Sequence, residues 1–77
     1  MRILSVDYSG KDLNYIIVAD VEEKTNVILP CASSHITKKE FANLVIDIYK
    51  DLNCRKFICE DRELIKLIRE VCDERYN

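Results

Sequence analysis

The sequence has no tryptophan and only one glycine, one proline and one histidine in 77 residues. So little glycine and proline, with 48% hydrophobic and 34% charged residues, excludes a disordered or low-complexity chain. There is no C-x-x-C among Cys31, Cys54, Cys59 and Cys72, which removes the spacing that a zinc knuckle or a dithiol redox site needs. No apolar run approaches the ~20 residues of a membrane-spanning helix. Twelve basic residues against fourteen acidic ones leave a net charge of -2, so there is no global attraction of the kind that supports tight non-specific nucleic-acid binding. Any phosphate contact has to be local. No secretory leader is apparent, and the four thiols are expected to be free and buried in a cytoplasmic protein. Cys54 and Cys59 bracket the CRKFIC run, where an odd separation along a strand predicts opposite faces.

What is present reads as one small α/β domain over residues 1–77. A chain of this length buries only ~60% of its unfolded surface, so its stability margin is thin. RILSVDY and LNYIIVADV are rich in β-branched and aromatic residues, and the polar SGKD between them predicts a hairpin connection. YIIV is apolar at consecutive positions, the pattern of a strand buried on both faces. NVILP adds a third strand, closed by Pro30. Thr37 followed by Glu40 is a capping box, with Ile36 placed to staple onto Phe41, so a helix starts there. Its buried face is Phe41, Leu44, Val45, Ile48 and Leu52, and Asn53 suits a left-handed C-terminal cap. CRKFICED predicts a fourth strand, and a second helix follows from Asp61 with Leu64, Ile65, Ile68, Val71 and Cys72 on its apolar side.

The order is therefore β-β-β-α-β-α. A right-handed crossover returns the fourth strand parallel to the first, giving a mixed four-stranded sheet of order 3-2-1-4 with two helices. Ala42, Ile46 and Tyr49 widen the first helix's apolar face beyond one sheet contact. With the third strand as a sheet edge, this predicts a homo-oligomer that buries those residues.

The parallel pairing brings the carboxyl ends of strands 1 and 4 together, and with them Asp7, Glu60 and Asp61. Oxygen ligands from separate strands suit a hard cation such as Mg²⁺. The alternative is structural: Glu60 and Asp61 cap the second helix, and Asp7 accepts hydrogen bonds in the turn. Around DYSGKD, Ser9, the amides near Gly10, and Lys11 offer a phosphate contact without chemistry. His35 lies in a loop with no cysteine at dyad spacing. Arg62, Lys66 and Arg69 form a stripe interspersed with acids, which reads as a solvated helix face.

ILSVDYSG, a second and third strand, a helix, and KFICED entering another helix resemble the N-terminal half of the ribonuclease H-like superfamily, with Holliday-junction resolvases and phage terminase nuclease domains as the closest likenesses. The resemblance implies a truncated ribonuclease H-like fold with Asp7 and Glu60 at the positions that bind divalent metal. It also implies a further acid from a later element, which this sequence does not contain. The expectation is a non-catalytic binding module, of the kind a phage accessory protein would be, that recognises a nucleotide, a nucleic acid or a protein partner through Asp7, Ser9, Gly10, Lys11 and Glu60. The alternative is a divalent-metal-dependent nuclease completed by dimerisation.

Overall fold

A computed structural model describes residues 1–76. Three strands form where the β-branched runs predict them: β1 (Arg2–Asp7), β2 (Leu13–Asp20) and β3 (Thr25–Ala32). The first connection turns through Gly10 at φ 71 and the second through Lys24 at φ 55. In the second turn Asp20 accepts from the amides of Glu22 and Glu23, which closes the bend with a side chain in place of a ladder bond. Helix α1 (Lys38–Asp51), strand β4 (Cys54–Cys59) and helix α2 (Arg62–Tyr76) follow. The sheet order is β3-β2-β1-β4, with β4 parallel to β1 and the other pairs antiparallel. The architecture is the mixed α/β sheet that the crossover rule predicts.

The capping box at α1 is complete. Thr37 Oγ accepts from the Glu40 amide at 3.1 Å, and the Thr37 amide donates to Glu40 Oε1 at 3.0 Å. That backbone bond, with the threonine hydroxyl, holds the Glu40 carboxyl below the usual range. Asn53 takes the left-handed conformation at φ 52, which ends the helix and turns the chain into β4. Thr37→Ala is expected to cost ~1 kcal/mol, read as a lowered urea midpoint with an unchanged slope.

Both helices lie on one face of the sheet. Leu4, Ile16 and Val18 from the strands meet Phe41, Ala42, Val45 and Ile46 from α1 and Leu64 and Val71 from α2 in a single core. Ala42 and Ile46 are buried because α1 packs against both the sheet and the neighbouring α2. For Ala42 and Ile46 the second surface that α1 touches is therefore in the same chain, while Tyr49 is half-buried and lines an apolar cleft with Ile46, Phe57, Ile68 and Tyr76. Width of an apolar stripe reports how many neighbours a helix has, not whose they are.

A second correction concerns the cysteines. Arg2 pairs with Cys54 but Ile3 pairs with Lys56, so Arg55 is an extra residue in β4. This bulge resets the alternation of side chains. Cys54 and Cys59 consequently share the helix-covered face, one buried in the core and the other packed against it, where an unbroken strand would have parted them. All four cysteines are free. Burial raises the thiol pKa of Cys31, Cys54 and Cys59, which keeps them protonated and poor nucleophiles.

Candidate functional site

Asp7 ends β1, and Glu60 and Asp61 follow β4. Because those strands are adjacent and parallel, their carboxyl ends open side by side into a shallow depression of about 400 Å³ lined by Val6, Asp7, Tyr8 and residues 58–61. This is the edge at which open α/β sheets take ligands.

The three acids are not equivalent. Asp61 Oδ1 accepts from the Leu64 amide at 2.8 Å, so it caps α2, and Lys38 Nζ stands 3.7 Å from the same oxygen. Lys38 also donates to Glu63 at 3.2 Å and lies 5.0 Å from the centroid of the Tyr8 ring. Desolvation works against its charge, but the Glu63 hydrogen bond and the fields of Asp61 and Glu63 more than offset it, and its pKa rises. The lysine is a fixed cation at the helix side of the depression. Asp7 and Glu60 are exposed at its rim. The Cys59 thiol donates to the Asp61 carbonyl at 3.7 Å, and burial raises its pKa, so it offers no thiolate here. Among the described residues, no group of three or more His, Cys, Asp or Glu side chains is placed to hold a metal ion.

The hairpin beside the depression is organised by a residue that sequence reasoning passed over. Among the described residues, Asn14 is the one buried polar side chain. Its Oδ1 accepts from the amides of Ser9 and Gly10 at 2.9 and 3.0 Å, and its Nδ2 donates to Ser33 Oγ at 2.8 Å. Ser9 Oγ donates to the Leu13 carbonyl at 3.3 Å and accepts from the Lys11 amide at 3.3 Å. The Ser9 and Gly10 amides thus face inward and shape the loop, while the Lys11 side chain is exposed. The signal was an asparagine inside an apolar strand, where only a satisfied polar group is tolerated. Lys38 was missed as well, since a basic residue after a helix cap carries no positional message of its own.

The remaining sequence candidates stay apart from this edge. Ser33 is spent on Asn14, His35 lies in the turn before α1 with its amide bonded to the Ala32 carbonyl, and Arg62, Lys66 and Arg69 are exposed along α2. Comparison with known proteins gives no match to a family, a curated protein or a solved structure.

Proposed function

We propose that this chain is a small non-catalytic binding module that takes a phosphate-bearing ligand, a nucleotide or a nucleic-acid backbone, at the carboxyl edge of β1 and β4. The observation that carries the reading is the meeting of Asp7 and Glu60 at one depression, from the ends of two parallel strands. Two carboxylates repel a phosphate directly, so Asp7 and Glu60 hold it through a divalent cation that keeps most of its water. Lys11 meets the phosphate from the hairpin, and Ser9 and Gly10 set the loop that presents it. The element order and sheet order support a kinship with the front half of the ribonuclease H-like fold.

Binding is favoured over hydrolysis because the third carboxylate is already committed: Asp61 caps α2 and faces Lys38. A two-metal mechanism needs the acids free to clamp both attacking and leaving oxygens. A site with a Kd of about 2 mM contributes ~1 kcal/mol at 10 mM ligand, which in a domain of this size raises the thermal midpoint by ~4–8 °C. That rise is expected with Mg²⁺ or Mn²⁺ and is expected to vanish in Asp7→Asn, with no cleavage of single-stranded, double-stranded or branched DNA. Mn²⁺-dependent cleavage lost in both Asp7→Asn and Glu60→Gln would establish the nuclease instead.

A further inference from the structure

The sheet has a second face, and the described residues do not cover it. Residues paired across strands point to the same side, so the register sorts the side chains into rows. Leu4, Val18 and Val27 form a row on the helix side. On the opposite side the middle row runs Ile58, Ser5, Ile17, Ile28. One flanking row is Lys56, Ile3, Ala19, Asn26, and the other is Asp7, Tyr15, Pro30, with Glu60 two residues beyond Ile58 at its β4 end. None of Ile3, Tyr15, Ile17, Ile28 or Ile58 belongs to the core or packs against it. Ile28 and Ile58 are 58% and 46% exposed. An antiparallel sheet with a solvated face alternates apolar and polar residues, and β2 does not: its YIIV run is built for burial on both sides.

We propose that this open face is the interface of a homodimer, two copies stacking sheet on sheet about a two-fold axis that runs along the middle row. The two-fold operation is what selects a second copy as the occupant. An axis along Ile58, Ser5, Ile17 and Ile28 lays that row on its own image and places each flanking row over the other. Lys56 then stands over Glu60 of the second copy, Ile3 over Asp7 and Ala19 over Tyr15, so the dimer covers the rim of the depression and association competes with cation binding. Opposite charges meet at one end and a small residue receives a large one in the middle, each contact occurring twice, as a self-complementary patch requires. Aligned packing of two sheets ~10 Å apart accommodates this arrangement. The edges do not compete: Pro30 lies in β3 and Arg55 and Lys56 in β4, devices that discourage strand-to-strand addition.

Size sets the strength. Four strands ~4.8 Å apart and about six residues long present a flat face of roughly 400 Å², more when pleated. Two such faces bury on the order of 1,000 Å², at the small end of specific interfaces, so a dissociation constant in the micromolar range is expected.

Sedimentation equilibrium of the full chain from about 5 to 500 μM tests the proposal. A monomer–dimer equilibrium is expected. Ile28→Glu and Ile58→Glu, both at exposed positions, are each expected to weaken it at least tenfold while far-UV circular dichroism and the monomer's thermal midpoint stay unchanged. Lys56→Glu is expected to weaken it, and adding Glu60→Lys to restore it, a rescue that general loss of folding does not produce. A monomer throughout the range, or a dimer indifferent to Ile28→Glu and Ile58→Glu, overturns the proposal. So does failure of the charge reversal to restore association, which would mean that a different orientation or partner covers the face. The outcome is separable from the ligand reading, because Ile28 lies away from the depression and its substitution leaves the metal response of the monomer in place.

Discussion

Phe41→Ala is expected to lower stability by ~3–5 kcal/mol, the largest single loss in the chain. Phe41 has no exposed surface and stands on the first turn of α1, with its ring centroid 5.3 Å from that of Tyr8 at an interplanar angle of 51°. It therefore joins the helix to the end of β1 as well as filling the core. A domain of this length has total stability of about 4–12 kcal/mol at 0.05–0.15 kcal/mol per residue, so the variant is expected to lose a large fraction of it and to unfold at a much lower urea concentration. Circular dichroism with urea titration provides the reading, with Thr37→Ala as the milder comparison. A Phe41→Ala midpoint equal to that of Thr37→Ala would mean that the core is not centred on this ring.

Asn14→Leu is expected to cost ~2–3 kcal/mol, although leucine keeps the branched skeleton of the side chain and is apolar. The loss comes from the partners left behind: the amides of Ser9 and Gly10 lose their acceptor and the Ser33 hydroxyl its donor. Leaving a buried donor unpaired costs ~1–3 kcal/mol, more than a made hydrogen bond returns. The local effect is as diagnostic as the global one. Amide exchange at residues 9–11 is expected to accelerate well beyond the change in global stability, whereas uniform acceleration would make Asn14 an ordinary core residue.

Local chemistry and one chiral rule made most of the fold legible. Thr37 with Glu40 marked the start of α1, Asn53 its end, and the right-handed crossover placed β4 beside β1 and hence Glu60 beside Asp7. The features that were hidden depend on tertiary context. The bulge at Arg55 has no glycine to announce it, and it moved Cys59 to the core side. The extra apolar residues Ala42 and Ile46 were visible, but amphipathicity does not distinguish α2 from a second copy. The YIIV run of β2 did signal burial on both faces, and the chain itself satisfies only one of them. At the site, the acids were legible because strand ends are punctuated in sequence. Asp61 as the cap of α2 was legible too, being a local bond to Leu64; the part of Lys38 was not, because it follows from contacts between α1 and the start of α2.

The most direct test of the account is amide line broadening by Mn²⁺ in ¹⁵N-labelled protein, read residue by residue. In the monomer, a cation held between Asp7 and Glu60 is expected to broaden amides of residues 6–9 and 58–61 most strongly at substoichiometric Mn²⁺, the effect falling off across β2 to β3 and along α2 toward its C-terminal half. Asp7→Asn is expected to abolish the broadening at both strand ends together, since neither carboxylate alone holds a hydrated ion tightly. Broadening centred elsewhere on the acidic surface, or persisting at residues 58–61 in Asp7→Asn, would contradict the claim that the parallel pairing of β1 and β4 builds the binding site.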